Sequence, residues 1–208
     1  MTNATPAKVQ CLLPALVCVV AILLAPAPAR ANTITVISTA DVTANDGQCA
    51  LREAMTAANT NTASGALAGE CVAGAAGLDT IDFDIPATDP NCNATTHVCS
   101  MTRTSALPAI TEAVTLNGYS QPGASANTNP LNAGINAVVL IEFPGASGDG
   151  IGGLRVNASN SVIRGLNFHD AGDQITINAS NVTIAGNFLG TNPAGTARGC
   201  ADCGGFGI

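Results

Sequence analysis

A phrase of nine residues occurs twice in this chain. It begins at residue 157 as NASNSVIRG and again at residue 178, 21 residues later, as NASNVTIAG. At this offset the segments 154–174 and 175–195 match in apolar positions as well as in asparagines and glycines. Self-similarity at a fixed period is typical of stacked repeats, in which each repeat is the template for the next. This period constrains the fold more than any other feature of the sequence.

Each repeat has the character of β-structure. It holds two short β-like runs separated by Asn, Ser and Gly, and it is too short for a pair of helices. Neighbouring strands lie about 4.8 Å apart, so equivalent apolar side chains would stack in the interior. The equivalent apolar pairs are Leu154 with Ile175, Val156 with Ile177, and Ile163 with Ile184. A coincidental pair of antiparallel hairpins is the alternative, and it leaves the gap-free match unexplained.

The repeated asparagines predict ladders on the turns. Asn157 is equivalent to Asn178, and Asn160 to Asn181. Asn tolerates the left-handed turn conformation, and its amide can bond to the amide of the next repeat. These four residues are therefore interpreted as structural.

The first 31 residues have the three-part layout of a secretory signal peptide. Lys8 precedes an apolar run over 11–25, and Ala29-Arg30-Ala31 has the small-residue pattern of a cleavage site. The run is slightly short for an uncleaved membrane anchor and is interrupted by Pro14. We expect cleavage after Ala31 and a mature chain that is secreted, periplasmic or on the outer cell surface.

The charge of the mature chain argues against nucleic acid as a partner. Without Lys8 and Arg30, five arginines, no lysine and 14 acidic residues remain, a net charge of −9. Such a surface repels phosphate backbones. The solubility of a secreted protein explains this charge, although a polycationic partner or a divalent ion is also compatible with it.

Six cysteines in an exported chain predict disulfides. The sequence allows 15 pairings, and the preferred one joins near neighbours: Cys49 with Cys71, Cys92 with Cys99, and Cys200 with Cys203. Cys200 and Cys203 form a C-x-x-C, but a zinc site would need a second pair and a redox motif would need a thioredoxin-like pattern.

One helix and several strands are predicted outside the repeats. Over 49–60 an apolar stripe follows the helical period; its residues are Leu51, Ala54, Met55 and Ala58. Alternating or apolar runs predict strands within 32–40, 78–86, 113–117 and 137–145.

The segment QCALREA over 48–54, preceded by TITVISTADVTANDG and followed by AANTNTASG, resembles the CSLREA domain of exported bacterial proteins. Ala50 stands where the family has Ser. SQPGASANTNPL over 120–131 and GNFLGTNPAGT over 186–196 resemble segments of the parallel β-helix region of such proteins. The resemblance implies an N-terminal cap leading into a pectate-lyase-like β-helix, and it implies no common activity.

We therefore expect an all-β fold, a right-handed parallel β-helix with the short amphipathic helix as its N-terminal cap. A helix suits this role because an open solenoid end exposes unpaired strand groups. The expected parts are a signal peptide over 1–31, a cap region over 32–105 and β-helix coils over 106–208. GGFGI over 204–208 looks like the start of a further coil, so the solenoid is expected to be incomplete at its C-terminus.

Two clusters are weak candidates for chemistry. His169, Asp170 and Asp173 share one turn, where they could act as acid and base or hold Ca²⁺. A solvated turn is the simpler interpretation, because the next repeat continues no carboxylate ladder there.

The second cluster, Asp41, Asn45 and Asp46 with Glu53, resembles a calcium loop. Its Gly and its Glu each fall one position late for an EF-hand. Asx-turns leading into the helix explain the same residues more simply, so no cofactor is expected.

The favoured function is that of a noncatalytic secreted or cell-surface protein, a scaffold, adhesin or glycan-binding module, because the long flank of a solenoid suits extended ligands. Its expected partners are extracellular polysaccharides or components of the cell envelope. One alternative is a polysaccharide lyase or hydrolase that acts on acidic glycans. Another is the N-terminal fragment of a larger surface protein.

Export and disulfide formation together predict a mass. The secreted protein should lack the mass of residues 1–31, and reduction should add about six hydrogens for the three disulfides expected in 32–208, two for each. Intact mass spectrometry of the native protein, with and without reductant, measures both. A mass that retains residues 1–31 would contradict cleavage.

Overall fold

The computed structural model describes residues 30–130, 132–145, 152–169 and 173–199. The expected signal peptide lies almost wholly outside these ranges. Within them the chain forms mostly short strands in parallel sheets, with one α-helix, α1 (Leu51–Thr60), and one 3₁₀ turn (Gly118–Ser120). The predicted predominance of β-structure is confirmed.

The described strands are β1 (Thr33–Val36), β2 (Asp79–Phe83), β3 (Cys99–Ser100), β4 (Val114–Asn117), β5 (Ile141–Pro144), β6 (Leu154–Val156), β7 (Val162–Arg164), β8 (Leu166–His169), β9 (Ile175–Ile177), β10 (Thr183–Ala185) and β11 (Phe188–Leu189). Each lies within a run that the sequence predicts to be extended, except β3, for which the sequence predicts no strand.

The strands form three sheets, and every pair of named strands is parallel. Sheet I has the order β1-β2-β4-β7-β10, sheet II the order β3-β5-β8-β11, and sheet III consists of β6 and β9. From β6 onward the chain visits sheets III, I and II in turn and then repeats this circuit.

In all three sheets, residues that pair between the two circuits are 21 residues apart, which is the offset found in the sequence. Leu154 pairs with Ile175 in sheet III, Ile163 with Ile184 in sheet I, and Phe168 with Leu189 in sheet II. On the turns, Asn178 donates its side-chain amide to Asn157 at 3.0 Å, and Asn181 donates to Asn160 at 3.5 Å. Asn160 and Asn181 both have positive φ angles, as the turn requires.

The earlier circuits have no constant period. In sheet I, Ile34 pairs with Ile81, Ile81 with Leu116, and Leu116 with Ile163. The partners are separated by 47, 35 and 47 residues, because excursions of different length leave the sheets between strands. Before residue 154, strands therefore pair in register although the sequence shows no repeat. From residue 154 onward, the repeat is present in the sequence as well.

The interior is built from stacked apolar side chains. Ile34, Ile81, Leu116 and Ile163 form one column in sheet I, and each is at most 1% exposed. In sheet II, Phe143 lies over Phe168 with ring centroids 4.6 Å apart and nearly parallel planes. Because side chains alternate along a strand, the residues between these point outward.

Helix α1 presents the predicted stripe to this core. Leu51, Ala54, Met55 and Ala58 are all buried, and the helix contacts β1 and β2. The Glu53 carboxylate accepts hydrogen bonds from the backbone N–H groups of Ala50 and Ala44, at 3.0 and 2.7 Å. It thereby satisfies one donor at the helix start and one in the segment that precedes the helix. Asn61, in the left-handed conformation, ends the helix.

The region that the sequence sets apart as a cap also supplies strands. β1, β2 and β3 lie between residues 32 and 105, and they pair in sheets I and II with strands from beyond residue 105. One hydrophobic core runs through both parts. The two parts thus share their sheets and their interior.

Tyr119, which follows the end of β4, packs against both sequence repeats (154–174 and 175–195). Its ring lies against Gly165 and Gly186, and its hydroxyl donates to the carbonyl of Gly186. A Cβ atom at either glycine would approach Tyr119 to within 2.6 Å. Both glycines also have φ near +65 to +70°, where only glycine is unstrained.

The stacked column predicts where the fold is sensitive to truncation. Ile163→Ala should lower the free energy of unfolding by about 2–5 kcal/mol, because it leaves a cavity between Leu116 and Ile184. Denaturant unfolding followed by far-UV circular dichroism measures this change.

The adjacent Val162→Ala is the matched control, because Val162 lies on the outward face of the same strand and is only half-buried. Its effect should be about 1 kcal/mol or less. Equal losses for the two variants would contradict the assignment of Ile163 to the interior column.

Candidate functional site

A groove of about 820 Å³ lies on the outer face of sheet II in the described part of the chain. Its floor includes the outward side chains of Ser100 on β3 and Glu142 on β5, which are register partners. One wall is the segment 90–98 and the other is the tip of a hairpin over 190–199; residues 137–140 complete the lining. We call this feature the sheet II groove.

The first wall is held by a disulfide. Cys92 and Cys99 are bonded, and they face each other as an antiparallel bridge. Between them, the Asn93 side chain accepts hydrogen bonds from the N–H groups of Thr95 and Thr96 at 2.8 and 2.9 Å. The wall is therefore a closed, internally bonded loop, which keeps a polar surface in place beside the floor.

The second wall is a short hairpin. Thr191 pairs with Arg198, and the Asn192 side chain accepts hydrogen bonds from the N–H groups of Thr196 and Ala197. The hairpin is anchored because Gly195 lies against the ring of Phe188. Asn192, Pro193 and Ala194 at its tip face the groove.

A column of outward side chains connects the floor with the second wall. It runs through Ser100, Glu142, Asn167 and Phe188, each the register partner of the next. The Asn167 amide group donates to the carbonyls of Phe188 at 3.2 Å and Thr191 at 2.9 Å, where the hairpin begins. Asn167 is fully buried, and its Oδ1 accepts no hydrogen bond within the described part of the chain.

Among the described residues that line the groove, Glu142 is the one that carries a charge. Its Oε2 lies 3.3 Å from Nε2 of His169, and both side chains are more than four-fifths buried. Its second oxygen, Oε1, has no hydrogen-bond donor among the described residues. The floor therefore offers a carboxylate that is oriented by an imidazole and keeps one acceptor open.

The catalytic candidates from the sequence are placed as follows. His169 is bonded to Glu142 and does not itself line the groove. Asp173 is exposed, and Asp170 lies outside the described residues. Sequence reasoning missed Glu142, although a single acid within the apolar run over 137–145 is a signal for an outward or paired carboxylate.

The residues proposed as calcium ligands form hydrogen bonds and an ion pair with other residues of the chain. Asp41 forms an ion pair with Arg52 at 2.6 Å and accepts from both the N–H and the hydroxyl of Thr104. Asn45 accepts from the N–H groups of Ala66 and Leu67. Asp46 accepts from the N–H of Gln48, two residues along, as an Asx-turn does.

No group of three or more His, Cys, Asp or Glu side chains is placed to hold a metal ion within the four described ranges. Within these ranges no helix has both the length and the apolar composition that are needed to span a membrane. Two of the preferred disulfides are present, Cys49–Cys71 and Cys92–Cys99. Cys200 and Cys203 lie outside the described residues.

No protein-family model matches the chain, and neither does any curated protein or solved structure. The resemblance to the CSLREA domain consequently depends on the motif residues themselves. The function has to be inferred from the groove.

The environment of Asp41 makes a pH-dependent prediction. Burial alone would raise the pKa of Asp41, but the hydrogen bonds from Thr104 and the Arg52 guanidinium lower it below its ordinary value. A carboxyl whose pKa is lowered on folding stabilises the protein above its unfolded pKa, about 3.9, and this contribution disappears as the pH falls through the folded pKa.

Asp41→Asn should therefore lower the free energy of unfolding at pH 7 by about 1–3 kcal/mol, and the difference from wild type should shrink below about pH 4. Urea unfolding at a series of pH values measures it. Asp46→Asn is the control, with an expected change within about 0.5 kcal/mol. A difference that stays constant down to pH 2 would show that the charge of Asp41 is irrelevant.

Proposed function

We propose that this protein is a noncatalytic secreted or cell-surface β-helix protein that binds an extended glycan in the sheet II groove. The observation that carries the proposal is the groove itself. It includes residues from two neighbouring strands of one sheet, β3 and β5, and is bounded by two walls, each fixed by its own bonds. A preformed, open channel lined by both apolar and polar side chains suits a chain-like ligand that enters from the side.

The three parallel sheets support the β-helix part of the proposal. A chain that visits three sheets in turn and returns in register is what stacked coils require, and parallel crossovers are right-handed in nearly all proteins. Helix α1, packed on β1 and β2, occupies the position of an N-terminal cap. This arrangement agrees with the resemblance to the CSLREA domain.

Export is supported by two independent features. Residues 1–31 have the layout of a signal peptide, and two disulfides close loops in the described residues. Disulfides persist in oxidising compartments and are rare in the cytosol. Both features favour a location in which polysaccharides of the cell envelope or the environment are available.

The lining of the groove supports binding without catalysis. Glycoside hydrolysis ordinarily uses two carboxyl groups on either side of the scissile bond, whereas the part of the lining that the structure describes contains a single carboxylate, Glu142. The polar groups that line the groove are mainly amides and hydroxyls: Asn91, Asn93, Thr96, Ser100, Thr102 and Asn192. Such groups form hydrogen bonds with sugar hydroxyls.

A polysaccharide lyase or hydrolase is the second candidate, and one observation favours it. The contact between His169 and Glu142 is a carboxylate–imidazole pair at the edge of a groove, which is suited to proton transfer. Action on acidic glycans in particular has less support, because the lining contains neither Arg nor Lys to neutralise a uronate.

Filling the groove should abolish binding. Ser100→Tyr places a large side chain on the floor without entering the core, because Ser100 points outward from β3. Retention on immobilised neutral and charged polysaccharides, followed by calorimetry with the best oligosaccharide, should fall at least about tenfold, a loss of about 1.4 kcal/mol.

Thr183→Tyr is the matched control, because Thr183 is exposed on the outer face of β10 in sheet I; this variant should bind as wild type does. Equal binding by Ser100→Tyr and wild type would show that the groove is not the binding site. Release of reducing or unsaturated products in the same samples, lost in His169→Ala, would favour the enzyme instead.

A further inference from the structure

The sheet II groove has an uneven distribution of hydrogen-bonding capacity. Its floor presents the Glu142 carboxylate, whose Oε1 has no hydrogen-bond donor among the described residues. One rung along the same column, the Oδ1 of Asn167 also has no donor in the described part of the chain, but Asn167 is fully buried and does not line the groove. A carboxylate with an unfilled acceptor is complementary to a ligand that can donate hydrogen bonds.

The charge of the floor points in the same direction. Among the described residues, the groove is lined by one carboxylate and by no cationic residue. His169 contacts Oε2 of Glu142, and Oε1 has no hydrogen-bond donor in the described part of the chain. An anionic ligand would be repelled there, and a neutral ligand would leave part of the carboxylate desolvated without compensation.

We infer that the ligand of the sheet II groove is an amine-bearing glycan, a chain that contains unacetylated amino sugars, with one sugar ammonium seated on Glu142. This inference rests on the proposed function and specifies its ligand. An ammonium supplies three donors and one positive charge, which match the Glu142 carboxylate and its open oxygen. The hydroxyls of the flanking sugars meet the neutral amides and hydroxyls of the two walls.

Asn167 has a positioning role in this arrangement. Its amide group holds the start of the 190–199 hairpin through the carbonyl of Thr191, while its buried oxygen lies in the column beside Glu142. The side chain thereby links the floor that receives the ammonium to the wall that contacts the rest of the chain.

The test compares two oligosaccharides that differ only in acetylation. Binding of a glucosamine hexamer and of an N-acetylglucosamine hexamer is measured by calorimetry at low and at moderate salt. The unacetylated hexamer should bind about 10- to 100-fold more tightly, which corresponds to one charge-assisted hydrogen-bonded pair. Its affinity should fall as the salt concentration rises, because the pair is partly exposed.

Glu142→Gln should abolish the preference for the unacetylated hexamer over the N-acetylated one. Glutamine has nearly the same shape and can keep a hydrogen bond to His169, so the variant removes mainly the charge. Glu112→Gln is the matched control for net charge. Glu112 accepts from Asn61 and Gly77 near the end of α1, and it does not line the groove. This control should bind both hexamers as wild type does.

The outcomes separate this inference from the proposed function. Suppose that both hexamers bind equally, and that binding is unchanged in Glu142→Gln but lost in Ser100→Tyr. This result would overturn the inference that the ligand carries an amine, while the proposed glycan binding would stand. Failure of every glycan to bind would overturn both. A lysine hexapeptide that binds as tightly as the glucosamine hexamer, with the same loss in Glu142→Gln, would overturn the glycan and identify a site for basic peptides.

Discussion

The fold depends on parallel backbone pairing that keeps equivalent side chains in register. When Leu116 lies beside Ile163, and Ile163 beside Ile184, each apolar side chain covers the next without any requirement for a large residue. A core with no Trp and one Tyr in 208 residues is possible for this reason. On the turns, the asparagine pairs add polar interactions in the same register. Each side-chain amide bonds to the asparagine 21 residues away, which is also the offset of the backbone pairing.

This constraint explains which parts could be predicted from the sequence. The last two circuits have no insertions, so Leu154 and Ile175 reveal the register by their spacing alone. The stripe of α1 could be recognised because helical periodicity is local. The pairing of β1 with β2 and of β2 with β4 could not be anticipated, since partners 47 and 35 residues apart leave no common period. The same insertions hid the contribution of residues 32–105 to the sheets.

The candidate site was harder to predict because it is not encoded in one segment. Glu142 and His169 are 27 residues apart, and the walls of the groove come from residues near 92 and near 192. Only the return of the chain to sheet II brings them together. Sequence reasoning identified His169 through its neighbouring acids, and within the described residues its ring contacts a carboxylate on the preceding rung. The excursions that obscure the repeat are thus also the source of its functional surface.

The position of Tyr119 has a practical consequence. With no tryptophan and a single tyrosine in the sequence, the near-ultraviolet emission of the unlabelled protein originates essentially from one ring. That ring lies between the end of β4 and the glycines at 165 and 186, and burial raises the pKa of its hydroxyl. The chain therefore contains an intrinsic optical probe at the junction between its irregular and its periodic halves. Loosening of that junction can be followed separately from the loss of β-structure, which circular dichroism records for the whole molecule.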